Sequence, residues 1–175
     1  MPSFLELLET HSALDAVFQE HQYALLHFDF ALALKILQEY RSLLEAHMAD
    51  EENLLLPLHG ERADIGKDGG KHLFLFEHEK MRRRLKLFIE ATESLFTEKY
   101  PEAVILRLLD REAFYNRLCS HHDIRETRIL YPELDKVTNE TERTEIFGRL
   151  IAARAVTMPC PTVSNTAVET DLHQE

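Results

Sequence analysis

The chain has 175 residues, enough for one domain with a substantial core, and its 45% hydrophobic content is ordinary for a globular protein. A net charge of −11 argues against a nucleic-acid partner, since phosphate binding needs clustered cations. The N-terminus has no basic stretch or uncharged apolar run, and no segment approaches the ~20 apolar residues that span a bilayer. A cytoplasmic protein without a membrane partner is expected.

Helix formers dominate, glycine numbers only 5 and tryptophan is absent. Apolar residues at Leu7, Leu8, Leu14, Phe18 and Leu25 predict a first helix from Ser3 to Phe28. Asp29 is suited to cap a second helix, Phe30 to Leu56, which Pro57 and Gly60 should end. A charged, glycine-rich loop follows from Glu61 to Gly70. A third helix is predicted from Lys71 to Glu98; its basic run, Lys80 with Arg82, Arg83 and Arg84, reads as a solvated face with local ion pairs. Pro101 suits the first turn of a fourth helix ending near Pro132. A short fifth segment, Asn139 to Arg154, looks amphipathic, and the chain beyond Val156 has the composition of a disordered tail. The expected fold is all-α: an antiparallel four-helix bundle (residues 1–155) with a short fifth helix, then a flexible tail (156–175). Cys119 and Cys160 share no pairing pattern, so free thiols are expected.

One pattern occurs twice. Tyr40, Leu43, His47, Glu51, Leu54, Leu55 and Pro57 recur at identical offsets as Tyr115, Leu118, His122, Glu126, Ile129, Leu130 and Pro132. A His and a Glu four residues apart share one face of a helix. Two such faces brought together offer two imidazoles and two carboxylates to a common point, as a dinuclear metal centre in a bundle requires. Tyr40 and Tyr115 lie on the same faces; packing explains them, the alternative being a hydrogen bond to a ligand or control of access.

Antiparallel geometry nominates further histidines, because residues at one height are equidistant from the turn. A turn at Tyr100 and Pro101 places His78 opposite His122, and a turn at Asp29 places His11 opposite His47. His21 would need a turn at residue 34, inside the helix-favouring run Ala31 to Lys35, and it lies about 15 Å from His11 along a helix. Only one of the two can reach the centre, and His11 is favoured. His21, His27, His59, His72 and His121 are expected at the surface or behind the ligands.

The candidate set is therefore His11, His47, Glu51, His78, His122 and Glu126. Four neutral imidazoles and two carboxylates suit first-row transition metals better than Mg²⁺ or Ca²⁺. If both glutamates bridge, two ions keep open positions for water, dioxygen or nitric oxide. Iron fits best and manganese is the alternative; zinc fits the donors but makes poor use of two bridging carboxylates.

The segments Glu45 to Pro57 and His122 to Pro132 resemble the two H-x3-E helices of hemerythrin-like (HHE cation-binding) domains. Thr10 to Asp15 and Glu77 to Lys80 are similar to the single-histidine helices before each. The resemblance covers roughly residues 5 to 135. It implies a four-helix bundle around two non-haem irons, oxo- and carboxylate-bridged, that handle dioxygen, nitric oxide or iron itself. Dioxygen-carrying members have an H-x3-H pair in the third helix and a late aspartate in the fourth; here Phe74 and Arg82 flank His78, and Glu126 completes an H-x3-E. The chain is closer to the symmetric four-histidine, two-glutamate branch, which includes proteins that repair damaged iron centres.

The expected function is dioxygen or nitric oxide binding, or iron handling, under oxidative or nitrosative stress. The alternatives are a metal-dependent sensor or interaction module without turnover, and an oxidase- or peroxidase-like enzyme.

Overall fold

A computed structural model of the protein describes residues 2–63 and 70–150. Four long helices pack side by side: α1 (Leu8–Leu26), α2 (Phe30–Asp50), α4 (Lys71–Ser94) and α5 (Pro101–Arg125). Three short helices, α3 (Leu56–Arg62), α6 (Tyr131–Val137) and α7 (Glu140–Arg149), gather at one end. No strand occurs among the described residues, so the expected all-α bundle is the observed fold. The helices form a ring in the order α1, α2, α4, α5, with α5 returning to α1. Cross-bundle pairs such as His11 with Asp123 and His21 with Glu112 run in opposite chain directions, as antiparallel neighbours must. The expected tail, and residues 151–154 of the fifth segment, lie outside the described residues.

Side-chain caps fix where α2 and α7 start. The Asp29 side chain accepts a hydrogen bond from the Leu32 amide at 3.0 Å, the role its position predicts. Asn139 caps α7 in the same way, with Glu142 bonding back to the Asn139 amide at 2.9 Å. α1 ends in a Schellman turn: the Phe28 amide bonds Leu25 O and the Asp29 amide bonds Ala24 O. The left-handed position of that turn is held by Phe28 at φ 59°, not by a glycine.

The helix ends at the two motif prolines differ from expectation. Pro57 and Pro132 stop neither helix; the chain continues into α3 and α6. The continuation passes through a π turn in each case, Glu51–Leu55 and Glu126–Leu130, closed by the Leu56 amide on Glu51 O and the Tyr131 amide on Glu126 O. Proline removes one amide, and its ring collides with the carbonyl four residues earlier. The wider turn carries the helix past that conflict. Each π turn begins on the motif glutamate.

Two apolar clusters lie along the bundle. The larger fills the end near the tight turns with Leu14, Phe18, Leu37, Leu85, Leu108 and Tyr115. The smaller, at the other end, contains Phe4, Leu55, Leu56, Phe74, Leu130 and Tyr131. A 3-10 turn, Phe4–Leu7, straps the N-terminus onto α6 through Ser3 Oγ donating to Asp135 at 2.6 Å. The six candidate residues fall between the two clusters.

Candidate metal centre

All six candidate residues come together. His11, His47, Glu51, His78, His122 and Glu126 are each at most 7% exposed. The four imidazoles present Nε2 inward in two pairs: His11 and His47 at 3.0 Å, His78 and His122 at 3.2 Å. Each glutamate faces both pairs. Glu51 Oε1 lies 3.6 Å from His47 Nε2, and its Oε2 lies 3.2 Å from His78 Nε2. Glu126 Oε1 lies 2.8 Å from His122 Nε2, and its Oε2 lies 3.2 Å from His11 Nε2. Two overlapping groups can each hold a metal ion: His11, His47, Glu51, Glu126 and Glu51, His78, His122, Glu126, with ligand atoms within 4.8 Å of one another in each group.

The donor set fits a cation better than it fits itself. Glu51 Oε2 and both Glu126 oxygens are buried without a hydrogen-bond donor. Buried carboxylate oxygens left unpaired are expensive. Burial, with Glu51 alongside, pushes the Glu126 carboxyl well above the usual range. Burial acts the same way on Glu51, but His47, with help from His122 and His78, holds that carboxyl well below it. Burial and neighbouring His47 push the His11 imidazole down to about 3, so its ring stays neutral with a free lone pair. His47 is lowered too, by burial. His122 is raised despite its burial, by the Glu126 carboxylate against it. A metal ion would neutralise the two carboxylates in place of the protons that the raised Glu126 and His122 otherwise favour.

The surroundings differ between the two pairs. His78 Nδ1 meets Glu52 at 2.8 Å, and Glu52 accepts from Arg82, which also bonds Glu45. His122 Nδ1 meets Glu77 at 3.0 Å, and Glu77 accepts from Arg125. These carboxylate–arginine pairs fix the rings with Nε2 pointing inward. Behind the other pair, His11 Nδ1 is buried without a hydrogen bond, 3.5 Å from Asp123. Burial pushes the Asp123 carboxyl up to about 7.

Tyr131 completes the inner surface. Its hydroxyl donates to Glu51 Oε1 at 3.1 Å and lies 3.3 Å from His11 Nε2. Burial beside Glu126 and Glu51 keeps that phenol protonated. The sequence assigns Tyr131, Glu52, Glu77 and Arg125 no role at the centre, and Arg82 reads there as part of a solvated basic face with local ion pairs. The usable signal was the variable position before each motif proline, Leu56 in one copy and Tyr131 in the other. Tyr40 and Tyr115 bond each other through their hydroxyls at 2.8 Å in the core, as the packing reading expects.

Two spare histidines correct the surface expectation. His21 is fully buried, with Nδ1 at 2.8 Å from Ala33 O and Nε2 at 3.1 Å from buried Glu112. His59 is buried against Glu133 at 2.6 Å. Both serve structural pairs away from the centre, whereas His27, His72 and His121 are exposed. In the basic run, Arg82 pairs with Glu45 and Glu52, and Lys80 sits over the Phe76 ring at 4.1 Å. Cys119 is a free thiol that burial pushes up to about 12, so it is not a thiolate nucleophile. No helix among the described residues is long and apolar enough to cross a membrane. No model of a known protein family matches the chain, and neither a curated protein nor a solved structure does.

Proposed function

We propose that the protein is a non-haem diiron protein of the hemerythrin-like kind, which binds dioxygen or nitric oxide, or handles iron, under oxidative or nitrosative stress. One observation carries this reading: each buried glutamate turns one oxygen to each histidine pair, and three of those four oxygens have no donor. His11 and His47 would hold one ion, His78 and His122 the other, and Glu51 and Glu126 would span both. Bound there, a pair of first-row ions supplies redox chemistry and open positions for a small ligand.

The chain's own residues do the rest. Glu52 and Glu77, each held by an arginine, orient two of the imidazoles. Tyr131 is a protonated donor at the inner surface. The apolar clusters above and below exclude water and strengthen every charge interaction inside. Iron is preferred over zinc because two carboxylates spanning two ions suit redox-active pairs.

The test is anaerobic loading with ferrous salt, followed by nitric oxide and then dioxygen under optical and electron paramagnetic resonance observation. The reading expects a new spectrum with at least one gas, absent from Glu51→Ala protein treated identically. Reversible change without consumption of reductant would mark a carrier, steady turnover an enzyme, and a changed oligomeric state without turnover a sensor. A loaded protein that responds to neither gas would leave iron handling alone, and failure to take up iron would contradict the proposal.

A further inference from the structure

Two hollows meet at the same pair of acids. Inside the bundle, a cavity of about 20 Å³, room for about one water, is bounded by His11, His47 and His122 together with Asp15 and Asp123. On the outside, a cleft of about 270 Å³ between α1 and α5 is bounded by Gln19, Asn116 and Ser120, again with Asp15 and Asp123. Asp15 is exposed at the surface and Asp123 half-buried behind it. They are the shared wall between solvent and the histidine-lined cavity.

From this geometry we infer that metal ions reach the centre through the α1–α5 cleft, past a transient cation site formed by Asp15 and Asp123. The inference rests on the metal-centre reading above. Beyond the acids, the next polar group inward is His11 Nδ1, which is buried, has no hydrogen bond and lies 3.5 Å from Asp123 Oδ1. The series of donors runs from exposed carboxylate to half-buried carboxylate to imidazole, so a divalent cation exchanges water for protein ligands stepwise.

The pairing of its carboxylates separates this face from the one across the bundle. The position four residues after His78 is Arg82, and the position four after His11 is Asp15. Behind His78 and His122 stand two guanidinium groups, Arg82 and Arg125, already paired with Glu52 and Glu77. An approaching cation meets only closed ion pairs there, in which Glu45, Glu52 and Glu77 are already held by the two guanidinium groups. At the α1–α5 cleft it meets two carboxylates with no lysine or arginine partner among the described residues. Electrostatic focusing of this kind raises association rates by ten-fold or more.

The test is the rate at which metal-free protein takes up Co²⁺, followed by stopped-flow absorbance, with the final stoichiometry measured separately. Asp15→Asn, which keeps the side chain's size, should load about ten-fold more slowly than wild type, with the same final stoichiometry. Added salt should slow the wild type more than Asp15→Asn. Ser120→Phe, which narrows the cleft sterically, should also load slowly. Glu93→Gln, an exposed acid near the other end of α4, should keep the wild-type rate. Wild-type uptake rates in Asp15→Asn or in Ser120→Phe would overturn the route. Failure of the wild type to bind Co²⁺ at all would instead appear in the stoichiometry, and would overturn the metal-centre reading and the route with it.

Discussion

Glu51 and Glu126 lie within reach of the same four imidazole nitrogens, and burial beside Glu51 pushes the Glu126 carboxyl well above the usual range. Both should therefore be needed for metal binding itself. We expect Glu51→Ala and Glu126→Ala each to lose at least one ion per chain, measured by mass spectrometry after anaerobic loading. His11→Ala should also lose metal. His21→Ala should not, because His21 pairs with Glu112 away from the centre. It should instead destabilise the fold by about 3 kcal/mol in denaturant titration, since Glu112 would remain fully buried with only Gln22 from that side. A normal denaturation midpoint with lost metal would reverse these roles. At this scale the H-x3-E repeat and the equal distances from two turns brought all six residues to one place. The neighbours behind them were not legible, because Glu52, Glu77, Arg82 and Arg125 look like ordinary charges on solvated helices until the helices are set side by side.

The elements show where local sequence rules gave way to tertiary demands. Prolines at Pro57 and Pro132 read as helix stops, yet each helix widens through a π turn and goes on. The smaller apolar cluster needs Leu55, Leu56, Leu130, Tyr131 and Leu134 in helical register beyond the glutamates, which accounts for the continuation. The same wide turn begins on each motif glutamate, so the prolines help shape the centre from outside it. The α1–α2 turn shows a second conflict. Phe28 holds φ 59°, a conformation that costs a residue with a Cβ about 1 kcal/mol, and half of its surface is exposed. Phe28→Gly should stabilise the fold by about 1 kcal/mol, raising the denaturation midpoint without changing metal content. A lower midpoint would mean that the ring contact with Phe30, at 6.1 Å between centroids, outweighs the backbone strain.

Over the whole molecule, the centre is a buried polar layer between two apolar clusters, and its protonation is coupled to folding. His11 has an imidazole near 6.5 when unfolded and about 3 when folded, chiefly through burial. The unfolded chain thus binds a proton that the folded one refuses, and this contribution to stability is lost as pH falls from about 6.5 to about 3. The slope is up to about 1.4 kcal/mol per pH unit for one proton. Metal-free His11→Leu should lose stability less steeply than wild type between pH 6.5 and 4, read from thermal melts across that range. Equal slopes would remove His11 from the account. Bound metal needs the same neutral imidazoles, so loading should raise the melting temperature at neutral pH and the gain should fade on acidification.

Metal stoichiometry decides whether the six residues form a dinuclear centre. Metal-free protein would be loaded anaerobically with ferrous salt, freed of excess, and analysed by mass spectrometry for metal per chain, with Glu126→Ala in parallel. A dinuclear centre should retain about two irons per wild-type chain and fewer in the variant. No retained iron in the wild type, or full retention in Glu126→Ala, would contradict the dinuclear reading.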